Sequence, residues 1–135
     1  MLVNDTKVIS LEGARKAMAA AEAAARQNGW NVAIAVVDAS GTLIHFSKID
    51  GTQPGSVNIA IGKARTAANF KRPTKVLEDA VNGGRYVFLA VDGIVPMEGG
   101  LPIVVEGQVV GAVGVSGVLS SQDAVVAQAG ADAVS

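Results

Sequence analysis

Apolar residues recur along this chain in two rhythms, and the rhythms divide it into elements. Leu11, Ala14, Met18, Ala21 and Ala25 fall on one helical face, while Glu12–Lys16 and Glu22–Arg26 form i,i+4 pairs on the others. Ser10 stands as N-cap, Glu12 occupies the first turn where the helix dipole favours an anion, and Asn28-Gly29 ends the helix. Met18 reads as core filler within that stripe. The same spacing returns in Val57, Ala60, Ile61, Ala64 and Ala68, which predicts a second helix from Ser56 to about Phe70. Pro73-Thr74 opens a short third helix carrying Val76, Leu77, Ala80 and Val81, and Asn82-Gly83-Gly84 breaks it. A last helix is expected from Ser120 as N-cap, with Asp123 at N3, running through Ala124, Ala127, Gln128 and Ala131 to the C-terminus.

Between these helices the apolar runs are short and β-branched. Val32–Val37 is continuous, Asp38-Ala39-Ser40-Gly41 is a turn, and Thr42–Lys48 returns, so a hairpin is predicted. In the return strand Leu43, His45 and Ser47 share one face, with Ile44, Phe46 and Lys48 on the other. A second hairpin centres on Glu106-Gly107, and both its arms are apolar on successive residues, so both its faces should be covered. Gly111, Gly114 and Gly117 mark close approach, either by a packing helix, the ordinary reading, or by a ligand on bare backbone. Tyr86–Val91 reads as one more strand, followed by the Asp92-Gly93 turn and an edge or loop segment at Ile94-Val95 before Pro96. Hairpins followed by helices, rather than alternating βαβ units, predict an α/β protein of the α+β kind: an antiparallel sheet of about five strands with helices on its faces.

At 135 residues the chain is expected to form one domain. Its formal charge of −1 argues against bulk attraction to nucleic acid or to an anionic membrane. With no cysteine there is no disulfide, thiolate metal site or cysteine nucleophile. No basic segment leads into an apolar core at the N-terminus and no run approaches spanning length, so a cytoplasmic protein is expected. Half of the residues are apolar but only 17% are charged, below the roughly 25% of ordinary soluble domains. Surface so poor in charge predicts a homo-oligomer.

Candidate chemistry is sparse. The glycines match neither dinucleotide nor Walker spacing, and Gly114-Val115-Ser116-Gly117 fails the nucleophile-elbow pattern because Val118 stands where a glycine belongs. One histidine and no cysteine argue against a zinc site, and His45 reads as a hydrogen-bonded strand residue. Lys63 and Thr66 lie together beside the second helix's apolar stripe and should reach the rim of whatever that helix covers, while Arg65 points outward. Gly99-Gly100 ahead of Pro102 lets the backbone turn sharply and lie open to a small molecule.

Val32–Gly41, Asp50-Gly51, Ile59–Ala67, Pro73-Thr74, Glu98–Ile103 and Gly111–Gly117 followed by Gln122-Asp123 together resemble the GlcG/HbpS-like family, in order over nearly the whole chain. That family includes haem-binding sensors and the C-terminal domain of PduO-type proteins. The resemblance implies an α-β-α sandwich on an antiparallel five-stranded sheet, assembled as a dimer or larger homo-oligomer. It further implies ligand-binding positions at Asp38, Lys63, Thr66, Glu98, Gly99, Gly100 and Ser116, with Gln122 and Asp123 also matching. Two functions follow from it. One is binding of haem or a related tetrapyrrole, with a possible sensor role. The other is a cofactor-free lyase on a small aromatic or hydroxy acid, with Lys63 anchoring the carboxylate and Glu98 moving a proton. The PduO-like histidine near the first helix is absent here, which leaves His45, a methionine or a hydroxyl such as that of Thr66 as the haem ligand.

Overall fold

The computed structural model describes residues 2–135 and builds three layers. The elements are α1 (Leu11–Gln27), β1 (Ala33–Asp38), β2 (Leu43–Lys48), α2 (Ser56–Phe70), α3 (Thr74–Asn82), a 3₁₀ helix (Tyr86–Ala90), β3 (Gly100–Val105), β4 (Gln108–Ser116) and α4 (Ser120–Asp132). The sheet runs β2-β1-β4-β3 and every neighbour is antiparallel. One core lies between the sheet and α1 with α4, where Ile34, Val36, Val113 and Val115 meet Ala14, Met18 and Val126. The other lies under α2 and is built almost wholly of small residues: Ala33, Ala35, Val37 and Ala112 against Ala60, Ala64 and Ala67.

That second core explains the repeated glycines. Ala35, Gly114 and Gly100 pair across three adjacent strands on the face that α2 covers. A Cβ on Gly114 would press on the Ala60 carbonyl oxygen and lie 2.9 Å from Ala64 Cα. The glycine therefore admits helix backbone, and it is no open floor for a ligand. At Glu106-Gly107 both residues take positive φ (50° and 76°), the two-residue turn that matches strand twist.

The sheet has four strands, not five. Tyr86–Val91 has strand-like composition but no strand to join. The outward N–H of Gly100 is taken by Thr74 Oγ1 at 2.9 Å, and Pro102 has none to offer, so β3 gives a fifth strand few groups to pair with. The segment instead closes on itself, Val91 N–H donating to Phe88 O. Other local expectations shift for equally local reasons. A bulge between Val36 and Val37 sends Ile44 toward the α1–α4 core, so the regular alternation predicted for β2 fails there. Leu11 is exposed, and Ala17 fills the buried stripe instead. Leu119, not Ser120, is the N-cap of α4; the first free amides are met by Gln122 Oε1 on Leu119 N–H and Asp123 Oδ1 on Val118 N–H.

Gly114→Ala is expected to lower stability by at least about 2 kcal/mol in denaturant titration, since the packed backbone of α2 must move. Gly55→Ala, with no atom near the new methyl, should change the midpoint little. Equal effects at the two sites would contradict the close approach of α2.

Candidate functional site

Lys63 is the largest of the fully buried side chains, at 0% exposure. It leaves α2 on the side facing the sheet, where the small residues beneath leave it no path to solvent. Its ammonium donates to the Val115 carbonyl at 2.9 Å and to Asp123 Oδ2 at 3.2 Å. Asp123 comes from the first turn of α4, on the opposite face of the sheet, and its other oxygen accepts the Val118 N–H at 3.2 Å. The pair thus joins the two helical layers around the end of β4. Burial pushes the Asp123 carboxyl above its ordinary range, and the Lys63 charge and the Val118 N–H pull it back only in part.

Gly99 and Gly100 lie over this pair. A Cβ on Gly99, whose φ is +129°, would stand 2.8 Å from both Lys63 Nζ and the Val115 oxygen. A Cβ on Gly100 would meet the Lys63 carbonyl and, at 2.8 Å, Thr74 Cγ2. Thr66 donates to Gly62 O at 2.7 Å and accepts the Val95 N–H at 3.0 Å, so it fastens the segment leading into Glu98 to α2. Glu98 is half-buried, and its N–H reaches Glu78 Oε1 at 3.3 Å.

On the outer side of Gly99-Gly100 a groove of about 620 Å³ opens between the start of α3, the Glu98–Leu101 segment and the outer face of α4. Leu101, Ala124, Val125 and Ala129 make its apolar surface, and Lys75, Glu98, Gln128 and Asp132 its polar rim. Lys75 is paired with Asp79 at 3.2 Å, and the Asp79, Glu98 and Glu78 carboxylates raise its pKa.

Of the residues expected in one site, the fold gathers Glu98, Gly99 and Gly100 on the groove and places Lys63 directly behind them. The others lie elsewhere. Ser116 is buried at the end of β4 opposite Ala33 and does not line the groove. Asp38 stands at the far end of β1, about 17 Å along the strand from Ala33 at roughly 3.3 Å per residue. Its Oδ1 accepts the Ser40 and Thr42 N–H groups at 2.8 and 3.1 Å, a hairpin role. His45 pairs with Val36 on β2, the opposite edge of the sheet from β3. Lys63 is not on the rim. Its charge faces protein partners, which removes the carboxylate anchor from the lyase reading. Sequence reasoning gave Asp123 a capping role and a family match, gave Thr74 a helix start and a family match, and passed over Lys75; it joined none of them to the site. The available signal was Lys63 itself, a cation beside a stripe as small as Ala60, Ala64 and Ala67, which demands an acid once it is buried.

Among the described residues no cluster of His, Cys, Asp and Glu could hold a metal ion, and no helix is long and apolar enough to cross a membrane. The groove contains no histidine, methionine or tyrosine.

The family described as haem degrading protein HbpS-like matches residues 9–132. Protein GlcG of Escherichia coli K12 is 46% identical over 112 residues, covering 82% of this chain and 84% of GlcG. A double mutant of Streptomyces reticuli HbpS superposes with a TM-score of 0.91 at 31% identity, covering 98% of this chain and 91% of that one. A PduOC–haem complex gives 0.84 at 29% identity, covering 93% and 94%.

Lys63→Met should cost about 3–5 kcal/mol, because it strands a buried carboxylate. Arg65→Met, on the exposed side of the same helix, should lie within about 0.5 kcal/mol of wild type. Thermal or denaturant unfolding reads both, and equal small effects would contradict the buried pair.

Proposed function

We propose that this chain, which belongs to the haem degrading protein HbpS-like family, is a small-molecule-binding protein that takes a flat, largely apolar ligand of the haem class in the groove between α3, β3 and α4. The observation that carries the reading is the groove itself. Its volume of about 620 Å³ falls within the 300–1,000 Å³ usual for small-molecule sites. Its surface is apolar side chain backed by glycine, held in place from behind by Lys63 and Asp123. The haem named with the PduOC neighbour supports the ligand class.

The groove residues of one chain do not fit haem as an iron-ligated group. No imidazole, thioether or phenolate lines the groove, and His45 lies on β2, with two strands between it and β3. The rim also carries Glu98 and Asp132 against a single cation, Lys75, already paired with Asp79. The ring is therefore held by apolar contact on Leu101, Val125 and Ala129, with its charged substituents directed to water. Binding of this kind suits a carrier or sensor.

Haemin and metal-free protoporphyrin IX, titrated separately against quenching of Trp30 fluorescence, are expected to bind with affinities within about threefold of each other, since threefold is only about 0.65 kcal/mol. Val125→Glu should weaken both by about tenfold, through a charge placed on the apolar wall. Haemin binding more than about tenfold tighter than the free porphyrin, with an iron-ligand absorption band, would overturn this reading. So would failure of both to bind.

A further inference from the structure

The groove is apolar along its middle and acidic at both ends. Its wall follows α4, and a carboxylate stands at each end of that helix. Glu98 lies beside the first turn, since a Cβ on the adjoining Gly99 would stand 3.0 Å from Asp123 Cβ. Asp132 is the last residue of α4. At about 1.5 Å per residue, the helix from Asp123 to Asp132 separates the two ends by roughly 14 Å. Between them the groove presents Leu101, Val125 and Ala129.

Neither carboxylate makes an ion pair among the described residues. Asp132 Oδ1 accepts the Gln128 amide at 2.6 Å, which orients the side chain without offsetting its charge. The last turn of α4 holds no basic residue, so Asp132 stands where the helix dipole is already negative. At the other end Lys75 is one cation against three carboxylates. It is paired with Asp79 at 3.2 Å, and Glu98 and Glu78 add to the pull that raises its pKa. Glu78 is fixed there by its own Oε1, which accepts the Glu98 N–H at 3.3 Å. A carboxylated ligand therefore meets like charge at both ends and no unpaired cation. A metal ion or a small amine cannot touch both ends at once. The complement of this surface is a long flat body with positive charge at its edges.

We infer that the groove selects its flat ligand by charge, taking an aromatic ring system with cationic groups at its edges in preference to the same ring bearing carboxylates. The ring lies on Leu101, Val125 and Ala129, with one positive group facing Glu98 and another facing Asp132. The inference rests on the ligand reading of the groove and adds the charge class to it.

The probes are protoporphyrin IX and its derivative in which both propionates are converted to amides bearing a quaternary ammonium. Each is titrated against the whole chain by equilibrium dialysis at low ionic strength. The cationic derivative is expected to bind about fivefold tighter, the gain of two exposed charge contacts. The advantage should disappear at 1 M salt, where charges are screened within about 3 Å. Glu98→Gln and Asp132→Asn should each weaken the derivative by about twofold and leave protoporphyrin IX no weaker. Glu12→Gln removes the same charge from the exposed start of α1, outside the groove, and should alter neither affinity. A loss from Glu12→Gln equal to that from the groove variants would mean attraction by net charge alone, and would overturn the inference. Equal or tighter binding of protoporphyrin IX would overturn it as well, and would leave the ligand reading standing. Binding of the derivative alone would uphold the charge selection and remove protoporphyrin from the ligand class. Failure of both probes to bind would overturn both readings.

Discussion

A single buried ion pair is the contact on which the arrangement of layers depends. Lys63 and Asp123 approach from opposite faces of the sheet and meet beyond the end of β4, where the Val115 carbonyl and the Val118 N–H complete their hydrogen bonding. Removing two charges from water costs several kcal/mol each, and the cost is offset only where geometry and added hydrogen bonds are good. The groove inherits that geometry. Gly99 packs on the ammonium and Gly100 on the Lys63 carbonyl, so the groove floor is the back of the ion pair.

The pair in turn requires α2 to sit unusually close to the sheet. Ala35, Gly114 and Gly100 form a row without bulk across three strands, and alanines line the helix above them. Larger residues at these positions would lift α2 and carry Lys63 away from Asp123. The opposite face is filled conventionally by Ile34, Val36, Val113 and Val115 beneath α1 and α4. One face therefore supplies apolar volume while the other supplies proximity.

Much of the fold was legible because its signals are local. The helix spans, the Gly29 stop and the Glu106-Gly107 turn each need only neighbouring residues, and all appear in the structure, although Leu11 leaves its predicted stripe and Lys63 and Thr66 join the buried face of α2. What was missed depends on distances between elements. Helical spacing puts Lys63 beside an apolar stripe, but only the helix-to-sheet distance decides whether its ammonium reaches water or an acid. Tyr86–Val91 has the composition of a strand, yet strand formation depends on a free edge, and Thr74 and Pro102 close the one nearby. Glu98, Gly99 and Gly100 lie together on the groove because they adjoin in sequence. Asp38 and Ser116 were grouped with them by resemblance; register carries Asp38 to the far end of β1, while Ser116 follows the Val115 that bonds Gly99 but is buried and lines no part of the groove.

A double-mutant cycle on Lys63→Met and Asp123→Leu, read by denaturant unfolding, tests the central claim most directly. If the pair holds the layers together, the double variant should be more stable than the sum of the two losses predicts, with a coupling energy of about 2–3 kcal/mol. Strictly additive losses would mean that Lys63 and Asp123 act independently, and the account of the groove built on them would be wrong.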